Sequence, residues 1–186
     1  MRIPIYVQKR HIHLSKIDAE KLFGNWYVFW KQKIFTQPWE YFTTEKLTIK
    51  WPLWTINDID IIIPFRKFTQ VEISDSDNKF LGIDAKPTQS WSLQDAAPIT
   101  IIWPKGSIYV DHAAIISIPH IHMSVAQAKI FWFKHNQIVS VKIPWNNNKI
   151  IENVKIRTND KYDLDFHINA DEWGNNWLKT NDRGEI

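Results

Sequence analysis

A short block of sequence occurs twice in the chain, and this repeat restricts the fold more than any other feature. The block reads RHIHLS at 10–15 and PHIHMS at 119–124. Each copy ends on a serine, Ser15 or Ser124, and a residue with an acceptor side chain follows three positions later, which is the pattern of a capped helix start. Two copies are too few for a solenoid. We therefore predict two related β units, each with a strand, a His-x-His pair and a capped helix.

Most of the remaining chain consists of short segments that favour β-strands. Runs rich in Ile, Val and Phe alternate with turn residues, and many short strands at such spacing are typical of barrels or sandwiches. Two segments predict helices, from Ser15 to about Phe23 with Gly24 as the C-cap, and from Ser124 to about Phe131. We predict a mainly β fold of two small β-barrel domains capped by short α-helices, with an internal repeat. The predicted strands are Ile3 to Val7, Leu47 to Ile49, Ile59 to Ile63, Thr69 to Ile73, Ile99 to Ile102, Ile115 to Ile118, Ile138 to Ile143, Val154 to Ile156 and Leu164 to Ile168.

Composition and charge exclude several classes of protein. The 186 residues include no Cys, which excludes disulfide scaffolds, thiolate zinc fingers and cysteine nucleophiles. The net charge of +3 and a pI of about 9.0 suit an anionic small ligand and are too diffuse to indicate nucleic acid binding. The first residues resemble a strand rather than a signal peptide, and the longest apolar run, 59–65, is too short to span a membrane. We predict a cytoplasmic protein with no nucleic acid or membrane partner.

The repeated block carries the clearest chemical signal in the sequence. Side chains alternate along an extended segment, so His11 and His13 share one face, and so do His120 and His122. Two such imidazoles can converge on one divalent metal ion. A single pair can also be two surface histidines, but two copies in the same local context favour metal binding.

A zinc site needs a third protein ligand, and the same alternation provides candidates. In the segment 66–72, Arg66, Phe68, Gln70 and Glu72 share one face, which is a plausible wall of a polar pocket. An exposed strand face remains the alternative for this segment. In the segment 163–169, His167 lies on the polar face, where an ordinary surface histidine is the alternative.

Taken together, these blocks resemble the phosphate propanoyltransferases, which are zinc-dependent phosphotransacylases linked to propanediol use. The resemblance covers nearly the whole chain, and its blocks fall in order. It implies an enzyme that interconverts an acyl-CoA and phosphate with an acyl phosphate and CoA. It also implies two small β-barrels capped by short helices. The blocks that carry the resemblance are RHIHLS at 10–15, RKFTQVEIS at 66–74, PKGS at 104–107, HIHMS at 120–124 and FHI at 166–168.

Carried over residue by residue, the resemblance implies two zinc ions. One ion would be held by His11, His13 and Glu72, and the other by His120, His122 and His167. Arg66 matches the family arginine that contacts phosphate and is the predicted catalytic residue, while Gln70 is a predicted substrate-binding residue beside it. The resemblance also implies one discontinuous barrel from residues 1–9 and 118–186, and a second from 10–117 with a short inserted segment around 24–44.

One departure from the family pattern lies in the second copy of the repeat. Pro119 stands where the family usually has arginine. If that arginine helps to bind phosphate or CoA, its absence lowers the affinity of this chain. Proline also removes a backbone donor, which strands tolerate mainly at edges.

The second departure is the excess of tryptophan over glycine. The chain has 11 Trp and 5 Gly, whereas an average protein of this length has roughly 13 Gly. We hypothesise that most of these tryptophans are UGA codons that specify glycine; a lineage that truly substituted Trp is the alternative. The tryptophans at family glycine positions are Trp39, Trp51, Trp54, Trp103 and Trp132, and we expect the same of Trp26, Trp91, Trp145 and Trp177.

Two other functions remain alternatives to the zinc phosphotransacylase. One is a catalytically degenerate homologue that binds zinc without turnover, which Pro119 and Trp103 make more plausible. The other is a β-barrel that binds nucleic acid, which the basic pI and the aromatic residues suggest. For the leading function we expect acyl-CoA or CoA and phosphate as the ligands. We expect a homodimer that is free in the cytoplasm rather than packaged in a microcompartment.

Overall fold

The structure, a computed structural model, describes residues 1–171 and 178–186. Its contacts divide the chain into two compact units. The terminal unit comprises Met1–Gln8, Thr36–Pro38 and Ile118–Ile186, and the middle unit comprises Lys9–Phe35 and Trp39–Ser117. Among the described residues, no helix has both the length and the apolar character needed to cross a membrane.

Strands dominate both units, and three short helices accompany them in the described residues. The strands are β1 (Arg2–Gln8), β2 (His11–His13), β3 (Lys31–Ile34), β4 (Tyr41–Trp51), β5 (Trp54–Ile63), β6 (Gln70–Ile73), β7 (Pro87–Thr88), β8 (Ala97–Trp103), β9 (Gly106–Ser117), β10 (His120–Met123), β11 (Ile138–Ile143), β12 (Lys149–Thr158), β13 (Asp165–Asn169) and β14 (Arg183–Glu185). The helices are α1 (Lys16–Phe23), α2 (Asp75–Leu81) and α3 (Val125–Ile130).

The terminal unit is a closed barrel of six strands in the order β1-β13-β10-β12-β11-β14. The first strand of the chain closes it, because β1 pairs in parallel with β13 on one side and antiparallel with β14 on the other. Alternate residues of β1, Ile3 and Ile5, point into the core, where they pack with Phe166 and Ile156. Because Phe166 of β13 belongs to this core, the opposite face of β13 is available to His167.

The middle unit also closes on itself. Strands β4, β5, β2, β6, β9 and β8 pair in a ring, and β3 and β7 extend it at β4 and β9. Its core is a separate cluster that includes Ile12, Leu47, Ile61 and Ile99. The prediction of a mainly β fold with two small barrels and short helices is thus confirmed.

The two helices predicted from the capped serines are present, but their N-termini differ. At α3, Ser124 and Gln127 form the reciprocal capping box. At α1, the Ser15 side chain accepts from the amide of Asp18, whereas the Ser15 amide donates to Thr69 Oγ1 at 2.9 Å. The reciprocal box expected at α1 is therefore replaced by a contact from the segment before β6.

Helix α2 was not predicted from the sequence. Its N-cap is Ser74, which forms a capping box with Asp77, and it ends at Gly82 in the left-handed region with φ of 69°. Because the helix has only seven residues and begins directly after β6, it has too few apolar positions for a helical pattern to stand out.

The end of α3 bears on the tryptophan hypothesis. Trp132 has φ of 60°, and it and the next residue donate to the carbonyls of Lys129 and Ala128. Gly82 and Ile83 make the same pair of hydrogen bonds at the end of α2. This turn requires a left-handed residue and is usually made by glycine.

Tryptophan at such a position is strained, and Trp132 gains little burial in return. Its side chain is 90% exposed. Trp91 is a second tryptophan with positive φ, at 79°. Both positions suit glycine better than tryptophan, which supports the hypothesis at these two sites. Trp177 lies outside the described residues.

Candidate metal centres

The first cluster, here called the His11 group, consists of His11, His13 and Glu72 in the middle unit. Strands β2 and β6 run antiparallel with His11 opposite Glu72, so all three side chains lie on one face of this strand pair. All three are buried, and one ligand atom from each lies within 4.8 Å of the others. The Nε2 atoms of His11 and His13 are 3.2 Å apart, and His11 Nε2 is 3.8 Å from Glu72 Oε1.

Local contacts orient the ring of His11, and burial shifts the pKa of His13. His11 Nδ1 lies 2.9 Å from the carbonyl oxygen of Lys9, which can only accept, so Nδ1 carries the proton and Nε2 keeps its lone pair. Burial, followed by the charges of Arg66 and His11, lowers the pKa of His13 well below its usual value. Neutral imidazole is the form that binds metals.

The second cluster, here called the His120 group, consists of His120, His122 and His167 in the terminal unit. Strands β10 and β13 run antiparallel with His120 opposite His167. The three buried rings have centroids 4.7–5.0 Å apart, and one nitrogen from each lies within 4.8 Å of the others. His120 Nδ1 donates to the carbonyl of Ile118 at 2.8 Å, just as His11 does to Lys9.

Two histidines of the His120 group, His120 and His122, also have lowered pKa values. Burial, with His122 and Arg157 beside it, lowers the pKa of His120 well below its usual value. Burial lowers the pKa of His122 to about 4, although a hydrogen bond to Asp165 opposes this shift. Both rings are therefore available as neutral ligands at neutral pH.

Asp165 is a buried carboxylate that adjoins the His120 group and was not predicted as a site residue. Its Oδ1 accepts from His122 Nδ1 at 3.0 Å, and its Oδ2 lies 2.9 Å from His167 Nε2. Gln37 donates to the same Oδ2 at 2.9 Å. Burial opposes ionisation, yet His167 and the hydrogen bonds from both histidines hold the pKa of this carboxyl below its usual range.

Arg66 lies beside the His11 group rather than on a strand. The structure starts β6 at Gln70, so Arg66 and Phe68 precede the strand and the predicted shared face holds only for Gln70 and Glu72. The guanidinium NH2 is 3.2 Å from Glu40 Oε1, and NH1 is 3.9 Å from Glu72 Oε1. The carbon at the centre of the guanidinium lies 4.5 Å from the ring centroid of Trp91.

Gln70 occupies the position opposite His13 in the β2–β6 pair. Its Nε2 donates to Glu72 Oε1 at 2.5 Å, and its Oε1 accepts the backbone amide of Trp91 at 2.9 Å. Ser90 Oγ donates to the same Glu72 oxygen at 2.9 Å. These contacts fix the carboxylate of Glu72; the substrate-binding role of Gln70 stays a prediction.

Both donor sets fit zinc. Zinc in proteins binds imidazole nitrogen and carboxylate oxygen, usually with three protein ligands and one open position in catalytic sites. The His11 group offers two imidazoles and a carboxylate, and the His120 group offers three imidazoles. All five histidines are buried, and a metal site requires such histidines to have one oriented nitrogen free to bind the ion.

The residues that the sequence did not reveal contact the groups from distant positions. Gln37 reaches Asp165 over 128 residues, and Glu40 reaches Arg66 over 26 residues. Nothing in their local sequence marks them. The sequence around Asp165 does contain a local indication, because Asp165 precedes His167 by two residues and therefore shares its face of β13.

Pro119, the departure noted in the second copy of the repeat, lies just before β10. Its carbonyl accepts the amide of Lys155 at 3.2 Å. Because it precedes the strand, the missing N–H of proline removes no hydrogen bond from β10 itself.

Comparison with known proteins identifies the family of the chain. The family model for phosphate propanoyltransferase matches residues 4–179. A phosphate propanoyltransferase from Lachnoclostridium phytofermentans is 36% identical over 171 residues, covering 91% of this chain and 80% of the relative. Proteins of the same name from Priestia megaterium and Thermotoga maritima are each 35% identical, covering 98% and 97% of this chain and 84% and 86% of the relatives. The chain therefore belongs to the phosphate propanoyltransferase family of acyltransferases.

Proposed function

We propose that this enzyme interconverts a short-chain acyl-CoA, with propanoyl-CoA as the expected substrate, and phosphate with the acyl phosphate and CoA, using two zinc ions. In one direction a phosphate oxygen bonds to the thioester carbonyl carbon, the C–S bond breaks, and CoA leaves as the thiolate, which takes up a proton. The chain has no Cys, which excludes a cysteine acyl-enzyme and is consistent with direct transfer of the acyl group to phosphate. Family membership supports the reaction class.

The observation that carries the proposal is the position of Arg66 beside the His11 group. Its side chain is only 12% exposed, and Glu40 and Glu72 hold the guanidinium in one place. A fixed guanidinium binds the oxygens of phosphate with two parallel hydrogen bonds. We assign Arg66 the role of holding phosphate in position for attack.

The two groups supply the remaining chemistry of the proposal. When bound, zinc would provide a Lewis acid for the carbonyl or phosphate oxygens and a binding site for the departing sulfur. His11, His13 and Glu72 would hold one ion, and His120, His122 and His167 the other. Gln70 keeps Glu72 oriented through the hydrogen bond between their side chains.

Release of CoA from propanoyl-CoA tests the proposed reaction. We expect thiol release that requires phosphate, is matched by acyl phosphate formation, stops with a chelator and returns with zinc. Two bound zinc ions without turnover would instead establish the degenerate homologue. Salt-sensitive binding of oligonucleotides without metal would instead establish the nucleic acid binding barrel.

A variant of Arg66 tests its assigned role. We expect Arg66→Ala to raise the KM for phosphate about tenfold or more while zinc content stays at two ions, because one charge-assisted contact is lost. Arg2→Ala is the matched control, since that arginine is exposed and pairs only with the exposed Glu185 in the described contacts. An unchanged KM for phosphate in Arg66→Ala would show that Arg66 does not bind phosphate.

Several expectations stay predictions from the sequence. They are the cytoplasmic location, the homodimer, the absence of microcompartment packaging and the division into domains of 1–9 with 118–186 and of 10–117. Sedimentation of the native protein checks the dimer, and sedimentation with shell proteins would contradict the absence of packaging.

A further inference from the structure

Asp165 is the charged side chain closest to the His120 group without belonging to its three candidate ligands. It is 7% exposed and makes contacts of 2.9–3.0 Å with two of the three histidines. A buried carboxylate is costly unless charged or polar groups pair with it. For Asp165 these groups are His122, His167 and Gln37, which all lie 2.9–3.0 Å from its carboxylate oxygens.

The contact with His122 determines which ring nitrogen carries the proton. A carboxylate oxygen accepts only, so a hydrogen bond between Asp165 Oδ1 and His122 Nδ1 at 3.0 Å requires the proton on Nδ1. The lone pair then lies on Nε2, which is left as the metal-binding atom of this ring. A carboxylate behind a metal-binding imidazole also increases the basicity of that imidazole.

Gln37 fixes the carboxylate in turn. Its Nε2 donates to Asp165 Oδ2 at 2.9 Å, while its Oε1 accepts the amide of Asp163 at 2.9 Å. Gln37 is itself buried. The amide can therefore rotate little, and it holds Asp165 through Oδ2, the oxygen that does not accept from His122.

The middle unit shows that this carboxylate is a separate feature of the His120 group. Gln70 holds the register position in the His11 group that Asp165 holds in the His120 group, opposite the second histidine of the pair. The amide of Gln70 contacts Glu72 and not a histidine of its own group among the described contacts. The carboxylate at 165 thus has no equivalent at 70.

We propose that Asp165, held by Gln37, is a positioning residue that fixes His122 with its proton on Nδ1 and thereby sets the zinc affinity of the His120 group. The inference rests on the proposed zinc binding of this group. It extends that proposal to a residue outside the three candidate ligands.

Zinc titration with a competing chromogenic chelator tests the inference. In Asp165→Asn we expect one of the two zinc ions to bind about 10- to 100-fold more weakly, while the other keeps its affinity. Asp163→Asn is the matched control, because it makes the same substitution at an exposed residue of the same segment. Equal affinities in the two variants would overturn the inference, whereas a wild-type protein that binds no zinc would overturn the proposed zinc function itself.

A second variant and a spectroscopic measurement cover the case in which Asp165→Asn does not fold. Gln37→Leu keeps the carboxylate of Asp165 but removes the hydrogen bond that Gln37 donates to it. We expect zinc to bind about threefold to tenfold more weakly at the same single site. Nitrogen-15 NMR of labelled histidine should show His122 protonated on Nδ1 in the wild type and a mixture of tautomers in either variant. Unchanged affinity and an unchanged tautomer in Gln37→Leu would overturn the inference.

Discussion

The His11 and His120 groups share one strand scaffold but place their negative charge differently. In both, a His-x-His strand runs antiparallel to a strand whose alternate residues complete the group. The paired residues are His11 with Glu72 and His13 with Gln70 in the middle unit, and His120 with His167 and His122 with Asp165 in the terminal unit. The carboxylate is a candidate ligand in the first group and stands behind the ligands in the second.

This difference shows which part of the site the fold fixes and which part the side chains adjust. The register determines where two histidines and their partners lie. The choice of Glu72 or His167 then changes the charge of the ligand set by one unit, because neutral imidazole replaces a carboxylate. A divalent ion would therefore retain more positive charge in the His120 group, and Asp165 compensates for it from outside the ligand set.

The largest expected effect follows from removing one histidine of each group. We expect His11→Ala and His120→Ala each to lower kcat/KM about a thousandfold and to leave one bound zinc, because each zinc contributes several kcal/mol to the reaction. Metal analysis and the thiol-release assay measure both quantities. His135→Ala, at an exposed histidine, is the control. Full activity in one variant would show that the group it alters is not needed for catalysis and that catalysis depends on the other group.

Acid should destabilise the metal-free protein, with His122 of the His120 group contributing strongly. The pKa of His122 is lowered to about 4, so at pH between that value and about 6.5 the unfolded chain binds a proton that the folded ring does not. The contribution of this ring to the free energy of unfolding is therefore fully present above about pH 6.5. It falls by on the order of 3 kcal/mol as the pH decreases toward the pKa of the folded ring. Urea denaturation from about pH 7.5 to about pH 4.5 measures the change. If the free energy of unfolding of His122→Gln depended on pH just as steeply, His122 would not be the cause of the pH dependence.

A smaller effect separates two roles for Gln70. Because its amide holds Glu72, we expect Gln70→Leu to weaken zinc binding at the His11 group about tenfold and to leave the His120 group unchanged. With zinc in excess, the KM for phosphate should then be normal. A raised KM with unchanged zinc affinity would instead support the substrate-binding role predicted from the sequence.

The smallest expected effect concerns the backbone at the end of α3. Replacing a left-handed residue that carries a Cβ with glycine removes strain, so we expect Trp132→Gly to stabilise the protein by about 1 kcal/mol. Trp26→Gly is the matched control, since Trp26 is 94% exposed and is not among the residues with positive φ. Thermal unfolding of both variants measures the difference. The codon at 132 is the direct check: UGG there would contradict the glycine hypothesis at this position.

Sequence patterns predicted those parts of the fold and of the candidate site that depend on local order. Alternation placed His11 with His13 and His120 with His122, and the capped serines located α1 and α3, because these features depend on residues a few positions apart. The number of short strands indicated barrels or a sandwich, and the repeat together with the family resemblance favoured two barrels. Strand pairing itself, such as β2 between β5 and β6, depends on contacts across the chain that no local pattern contains.

The parts that were missed have physical reasons of the same kind. Helix α2 is too short for a helical apolar pattern, and Gln37 and Glu40 join the site through contacts far along the chain. The strand predicted to include Thr69 begins one residue later, at Gln70. The hydroxyl of Thr69 accepts the amide of Ser15, 54 residues away, and no local pattern contains that contact.

The position of β1 sets an order in which the two barrels can be completed during synthesis. Every strand of the middle unit lies between residues 11 and 117, so that ring can close while the rest of the chain is still being translated. The terminal barrel needs β14, which ends at Glu185, before β1 has a partner on both sides. Strand β1 is thus synthesised before the whole middle unit but can be fully paired only after it, and the His11 group can be assembled before the His120 group is complete.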